Sequence, residues 1–280
     1  MSQRYSSKVV GCITCGITSL VVVIAGLSKA DAASMTFSIS GTNSTSKNAL
    51  AATAVFDDSL IKSGKLTVTL TNTKGVSVPS DILTSVFWDY GGSPLNLSLT
   101  SATGSKVTEY VTTTTGKGKN ATTTTTLNTT SNVDLLGSLN EWKFASSKSS
   151  SLTGITEHYG LGTAGLGIFQ GGGGQQFNYG IIGGYNTNAN DPVKQAPLVN
   201  NSVTFTLSGL SSTFDITKIN NVRFQYGTSL SEANITQATG KYYTPTPKPK
   251  TVPEPGTTAA LVLFTLGALT IVKKKSLMAA

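Results

Sequence analysis

Residues 65–71 read KLTVTLT, a strict alternation of polar and apolar side chains. A period of two places the apolar side chains on one face of an extended strand, which indicates a half-buried β-strand. Residues 36–40 (TFSIS) alternate in the same way. Similar short runs lie at 51–56, 83–88, 95–99, 106–112, 202–207 and 222–226.

Sustained helical periodicity is lacking between these runs. Many short strands without intervening helices predict an all-β domain over residues 33–240, built as an antiparallel β-sandwich or jelly roll. Trp88 and Trp142, with the Phe and Tyr residues, supply bulk for its core. The fold is expected to be flanked by an N-terminal signal peptide and a C-terminal transmembrane helix.

The N-terminus has the three parts of a secretory signal. Arg4 and Lys8 precede an apolar run from Val9 to Leu27, and Ala30-Asp31-Ala32 follows. Small residues at Ala30 and Ala32 predict a signal peptide over residues 1–32, cut after Ala32 by the secretion machinery. The alternative is an uncleaved signal anchor, because the apolar run is nearly long enough to span a bilayer.

Both cysteines, Cys12 and Cys15, lie inside this apolar run. In another sequence context their CxxC spacing would indicate a redox or metal site, but here no second CxxC and no neighbouring histidine accompanies it. Removal of the signal would leave a chain without cysteine, so its stability must come from packing and not from disulfides.

The C-terminus combines a stalk with an apolar span. Residues 241–252 are rich in proline, which favours a stiff polyproline II stalk. Pro253-Glu254-Pro255 follows, then an apolar run from Thr257 to Val272, and then Lys273, Lys274 and Lys275. Lysines after a short span predict a membrane anchor with its C-terminus in the cytoplasm.

This tail, residues 253–280, resembles the PEP-CTERM sorting signal of bacterial surface proteins. The resemblance implies processing by an exosortase at Pro253-Glu254-Pro255, in cells that make exopolysaccharide. It also implies membrane anchoring before processing, and a location at the cell surface or outside the cell afterwards. The alternative is an ordinary tail anchor. Residues 65–89 also look like the start of a domain in exosortase-dependent surface proteins of unassigned activity.

Two segments depart from the strand pattern. Residues 112–130 contain runs of four and five threonines and are expected to form a long exposed hairpin or loop. This segment carries the sequons Asn120-Ala121-Thr122 and Asn128-Thr129-Thr130, so it is either glycosylated or an unmodified polar loop.

The second segment, residues 160–185, interleaves glycines with aromatic residues and is expected to be a loop that covers the core. It lacks the Gly-Lys-Ser/Thr context of a phosphate-binding loop. If it binds a ligand, Phe177, Tyr179 and Tyr185 are the candidates for stacking on sugar rings.

Catalytic and metal-binding patterns are weak. His158 is the single histidine, which excludes a zinc site with several histidines, and no Gly-x-Ser-x-Gly motif supports a triad. Asp57, Asp58 and Asp89 are candidate Ca²⁺ ligands but lack a loop signature. The acidic residues are too scattered in the sequence to identify the pair of catalytic carboxylates that a glycosidase needs. The sequence therefore predicts no enzyme, cofactor or metal.

Charge narrows the choice of partners. The net charge of +8 falls to +4 without residues 1–32 and 253–280, and charged residues make up only 12% of the chain. An almost neutral domain disfavours nucleic-acid binding. We expect a non-enzymatic structural or adhesive protein of the biofilm or exopolysaccharide layer. The alternative is a carbohydrate-binding module, and a secreted hydrolase comes third.

Overall fold

The computed structural model describes residues 32–137, 139–147, 150–169, 177–186, 188–235 and 239–243. Within these residues the chain is almost entirely β-structure with one short helix, α1 (Asp191–Gln195). In chain order the strands are β1 (Ser34–Thr42), β2 (Ala49–Asp57), β3 (Lys65–Asn72), β4 (Leu83–Tyr90), β5 (Ser98–Thr115), β6 (Thr122–Asp134), β7 (Lys143–Ser146), β8 (Tyr159–Gly162), β9 (Ile181–Ile182), β10 (Leu198–Ser208), β11 (Ile219–Tyr226), β12 (Asn234–Ile235) and β13 (Thr239–Tyr243).

The thirteen strands form one mixed sheet, in which the order β12-β11-β4-β9-β10-β3-β2-β1-β13 is the main path. Strand β5 leaves this path by pairing with β10 on one side and β6 on the other, while β8 pairs with β4 and β7. Most pairings are antiparallel, but β9 and β10 are parallel. The prediction of an all-β fold is confirmed.

The alternation in the sequence has the expected physical effect. Along β3, Leu66, Val68 and Leu70 are fully buried while the intervening threonines are half-buried. The strands around β3 are joined by hairpins, so one face of β1, β2 and β3 contributes to a single core. Burying each of these apolar side chains contributes roughly 1.5–3 kcal/mol.

Aromatic rings connect different parts of the sheet through the core. Phe56 of β2 meets Trp88 of β4 edge to face, with ring centroids 5.4 Å apart, and Trp88 also stacks on Tyr159 of β8. Trp142 packs against Phe205 of β10, and its indole nitrogen donates to the carbonyl of Tyr179. Both tryptophans are completely buried, as the sequence predicts.

A buried carboxylate fastens the β1–β2 turn to the segment before β4. Asp81 is 1% exposed and accepts hydrogen bonds from the side chains of Asn43 (2.7 Å), Ser46 (2.7 Å) and Asn48 (2.6 Å). The backbone N–H groups of residues 77 and 78 donate to its second oxygen. Because buried polar groups must be paired, this network fixes both loops together.

Candidate functional site

The longest exposed feature of the fold is a hairpin that extends beyond the rest of the sheet. The last pair between β5 and β10 is Thr108 with Leu198, whereas β5 and β6 continue to pair as far as Thr115 with Thr122. Residues 109–128 therefore form a two-stranded projection, which we call the arm. Seven residue pairs at ~3.4 Å each give it a length of about 24 Å.

The outer part of the arm, beyond residue 112, has no apolar face. Every residue from Thr113 to Asn132 is exposed, and Leu127, at 50% exposure, is the one large apolar side chain in that range. A hairpin of two strands is only marginally stable by itself in water. The arm is nevertheless a regular hairpin because threonine favours extended backbone and because it continues two strands anchored in the sheet.

Threonine pairs across the two strands stabilise the arm further. The register places Thr113 opposite Thr124 and Thr114 opposite Thr123, and the hydroxyls of the latter pair are 3.2 Å apart. The Thr126 hydroxyl donates to the carbonyl of Val111. The turn at the tip contains Gly116 with φ +93°, a conformation that side chains with a Cβ rarely adopt.

These rows of threonine give both faces of the arm a mixed hydroxyl and methyl surface without charge. The charges are confined to its two ends: Lys117 and Lys119 at the tip, and Glu109 at the base with Asp134 just below it. Such a surface suits neutral, hydroxylated partners or another β-strand, and it does not suit a polyanion.

A polar groove of about 410 Å³ lies between the loop after β4 and the loop after β10. Tyr90 forms part of its wall and stacks on Phe214, with centroids 5.3 Å apart. Its hydroxyl accepts a hydrogen bond from the backbone of Asp215, so the ring is held in place. The groove is lined by Tyr90, Gly92, Ser93, Pro94, Leu95, Asn96, Gly209, Ser211, Thr213 and Lys218.

The structure joins His158 to one of the candidate Ca²⁺ ligands. The Nδ1 atom of His158 lies 2.7 Å from Oδ1 of Asp89, whose other oxygen accepts from the side chain of Asn221. Within the described ranges, no hydroxyl is hydrogen-bonded to the His158 ring, and no three residues of the His, Cys, Asp and Glu types are grouped to hold a metal. This pair holds the loop before β8 against β4 and β11.

The three aromatic residues of the glycine-rich segment do not form one exposed surface. Phe177 and Tyr179 are 4% and 9% exposed, and Tyr185 is half-buried against a small apolar cluster that includes Phe177. Burial raises the pKa of Tyr179, and the nearby carboxylates of Glu109 and Glu141 add to the effect. These residues contribute packing in the structure, and sugar binding by them stays a prediction. Residues 170–176, with Gly171–Gly174, lie outside the described residues.

The predicted processing signals also lie outside the described residues. This applies to Ala30, to the sorting motif Pro253-Glu254-Pro255, to the apolar run that follows it and to Lys273, Lys274 and Lys275. Ala32 is described and half-buried, and it immediately precedes Ala33, the buried first residue of the domain. No helix in the described part of the chain is long and apolar enough to span a membrane.

No protein-family model and no curated protein matches the chain. The solved structures that overlap with it include two with a weak overlap. The KRT10-binding region domain of the pneumococcal serine rich repeat protein PsrP has 10% sequence identity, covers 74% of this chain and 98% of its own, and has a TM-score of 0.22. The Clostridium perfringens NetB toxin in the membrane-inserted form has 11% identity, covers 75% and 94%, and has a TM-score of 0.18. Such low TM-scores establish no common fold, so neither protein bears on the function.

Two of these features have no signal in the sequence. Asp89 and His158 are 69 residues apart and meet only because β4 and β8 pair. Asp81 follows a Pro-Ser pair, which is typical of turns, yet it is buried. The arm, in contrast, coincides with the threonine runs that stand out by composition alone.

Proposed function

We propose that this chain is an exported, exosortase-processed protein of the bacterial cell surface or extracellular matrix, with a non-enzymatic structural or adhesive role. The observation that carries the proposal is the arm, a long, hydroxyl-rich projection from a compact β-domain with charges only at its two ends. A projection of this kind provides contact area for another molecule. The sorting tail in the sequence supports the location in the biofilm or exopolysaccharide layer.

We further propose that the domain is a β-sandwich. In support, Phe56 and Trp88 make a direct ring contact although they lie on strands far apart in the order of the sheet. A contact between side chains of non-neighbouring strands requires the sheet to fold back on itself, as two packed layers do.

The adhesive role can be tested by shortening the arm in the native cells. Residues 112–125 are replaced by Asn-Gly, which is the preferred two-residue hairpin turn and joins Val111 to Thr126. The control replaces Thr113 and Thr124 by serine, which keeps the length of the arm and its hydroxyls. We expect the short-arm protein to fold and be exported normally but to be lost from the washed matrix. Equal retention of the short-arm and wild-type proteins would contradict the proposal.

Processing needs a separate test, because the arm and the tail are independent. Mass spectrometry of the protein from native cells should give a mature chain that begins at Ala33 and lacks Lys273–Lys275. If most molecules retain these lysines, the tail is an ordinary anchor and exosortase processing is wrong.

A carbohydrate-binding role is the second candidate, and the groove beside Tyr90 favours it over the glycine-rich segment. Hydroxyl, amide and ammonium groups line this groove next to a fixed aromatic ring, a combination that suits sugars. A glycan array with the mature protein tests it, with Lys218→Ala and Asn96→Ala in the groove and Ser59→Ala as an exposed control. Saturable binding that both groove variants weaken and the control preserves would support this role.

A further inference from the structure

The residue that would begin the mature chain is hydrogen-bonded to a carboxylate. The backbone nitrogen of Ala33 donates to Oδ1 of Asp58 over 2.6 Å, and the backbone N–H of Asp58 donates to the carbonyl of Ala33 over 3.1 Å. Ala33 is 7% exposed, whereas Ala32 before it is half-buried. Because the signal peptide is predicted to be cut after Ala32, the nitrogen held by Asp58 is the one that becomes the amino terminus.

The carboxylate of Asp58 stands where a strand would ordinarily offer a carbonyl. Ser34 pairs with Asp57, so the same antiparallel register sets Ala33 opposite Asp58. The carbonyl of Asp58 is already used, because it accepts the N–H of Ile61 over 2.8 Å in the turn after β2. The side chain of Asp58 replaces it as acceptor. A neutral side chain would suffice for a neutral N–H, since burying a charged group costs more free energy.

The charge of Asp58 has no positive partner while the chain continues through Ala32. Burial raises the pKa of Asp58; the hydrogen bond from Ala33 opposes this effect, and the negative charge of Asp57 adds to it. In the described part of the chain, no Lys, Arg or His side chain lies within ion-pair distance of Asp58. The site therefore holds an N–H donor but lacks a counter-charge.

Signal-peptide cleavage would supply that counter-charge. Hydrolysis of the peptide bond between Ala32 and Ala33 adds the hydroxyl of water to the carbonyl carbon of Ala32 and its proton to the nitrogen of Ala33. At neutral pH the new acid loses a proton and the new amine gains one, so Ala33 carries an ammonium. A charged donor makes a hydrogen bond to a carboxylate roughly twice as strong as a neutral one. The other N–H groups of the ammonium can reach water on the side that Ala32 occupied.

We propose that Asp58 is the binding site for the amino terminus that removal of the signal peptide creates, through an ion pair between the Ala33 ammonium and the Asp58 carboxylate. The ion pair fastens the start of β1 to the end of β2, so cleavage makes the folded domain more stable. This inference rests on the proposed export of the chain, because cleavage after Ala32 is what creates the ammonium.

The ion pair contributes to stability within a limited range of pH. It should raise the pKa of the Ala33 amino group above the ~7.7–8.0 of a free amino terminus, so that this contribution is complete below that range and is lost as the pH rises through the raised pKa. It should also lower the pKa of Asp58 from its value in the uncleaved chain, so that the added stability is lost as the pH falls through the lowered pKa. Asp57 is the charged side chain that acts on Asp58.

The experiment compares two proteins that differ only at their start. One begins at Ala33 and keeps every strand of the domain; the other carries Gly-Ser before Ala32, which moves the ammonium three residues away. Both continue to Ala280 and are held in a mild detergent. At about pH 6 the protein that begins at Ala33 should have a thermal midpoint higher by about 2–4 °C. At about pH 10.5 the two midpoints should be equal, because the ammonium is then neutral.

Substitutions in both proteins separate charge from shape. Asp58→Asn keeps an acceptor for the Ala33 nitrogen but removes the negative charge, so the difference between the two starts should disappear. Asp57→Asn is the matched control. The carboxylate of Asp57 accepts from the backbone of Ser59, so this change should leave most of the difference in place.

NMR titration of the Ala33 methyl carbon gives an independent readout. In the protein that begins at Ala33, its midpoint should lie above that of a free amino terminus, and Asp58→Asn should bring it back. The proposal is overturned if the two starts give equal thermal midpoints at about pH 6, or if Asp58→Asn preserves their difference. A native protein that begins at another residue would contradict the proposed processing, whereas equal midpoints would contradict the ion pair alone.

Discussion

Replacement of Asp81 by alanine should be among the most destabilising single changes in this domain. The substitution removes the acceptor of five hydrogen bonds in a place that is 1% exposed. Ser46 and Asn48 are half-buried and can turn to water, whereas the side-chain NH2 group of Asn43 keeps only its hydrogen bonds to Ser80. The backbone N–H groups of residues 77 and 78 lose this acceptor altogether.

The magnitude follows from the groups left without partners. An unsatisfied buried donor costs about 1–3 kcal/mol, and Asp81→Ala removes the acceptor of the Asn43 side chain and of two backbone N–H groups. We therefore expect Asp81→Ala to lower the free energy of unfolding by about 4 kcal/mol, a large part of the ~5–15 kcal/mol of a typical domain. With a urea m value of ~2 kcal/mol/M, the midpoint should fall by roughly 2 M.

The assay is urea unfolding followed by the fluorescence of Trp88 and Trp142, which are fully buried. Asp81→Asn gives the sharper test, because it keeps the size of the side chain but turns one acceptor into a donor that faces other donors. We expect it to cost at least ~2 kcal/mol. Asp191→Asn, in an exposed helix turn, is the control and should stay within about 0.5 kcal/mol. An unchanged midpoint for Asp81→Asn would refute the reasoning, since the carboxylate would then be dispensable.

Three further predictions concern the core, a turn and the pH dependence. The Tyr226 hydroxyl is buried and has no hydrogen-bond partner among the described residues. Tyr226→Phe should therefore raise the thermal midpoint of unfolding by a few degrees. A lower midpoint would mean that the hydroxyl is paired. Gly209→Ala should lower the free energy of unfolding in urea by more than ~2 kcal/mol, because φ of Gly209 is +99° and a Cβ would collide with the carbonyl of Asn96. A decrease of less than ~1 kcal/mol would contradict this turn geometry. In the uncleaved chain, burial raises the pKa of Asp58, so the contribution of Asp58 to stability grows as the pH falls through the pKa that this residue has in the folded protein. In Asp134 the backbone N–H groups of residues 137 and 136 lower the pKa. The contribution of Asp134 to stability is therefore present above pH 3.8 and is lost on further acidification. NMR titration of the carboxyl carbons should place the midpoint of Asp58 above 3.8 and that of Asp134 below it, and the reverse order would be inconsistent with the structure.

Much of the fold could be predicted because alternation directly reflects burial. The alternating segments at 36–40 and 65–71 are parts of β1 and β3, and the predicted strands at 51–56 and 83–88 lie in β2 and β4. The predicted strand at 95–99 is formed only from Ser98 onward, although Leu95 and Leu97 are buried. Apolar alternation therefore indicates burial more securely than backbone pairing.

What the sequence did not resolve depends on contacts between distant segments. Strand β9 and all but the first residue of β8 lie within the segment 160–185 expected to be a loop. Both strands are short and β8 contains glycines, so no sequence pattern marks them, and they form because β4 and β10 provide partners. The threonine runs left a choice between hairpin and loop, because without an apolar face no alternation marks a strand. The pairing of Asp89 with His158 and the burial of Asp81 arise in the same way from tertiary contacts.

The first and last described strands are neighbours: β1 pairs with β13, and Ser34 lies opposite Tyr243. The edge of β1 is therefore covered by the segment of the domain that leaves the ribosome last. Until that segment is synthesised, a nascent chain presents β1 as an open edge to other chains. The final strand thus determines when the domain is protected from misassembly, and a chain that ends before Thr239 should aggregate.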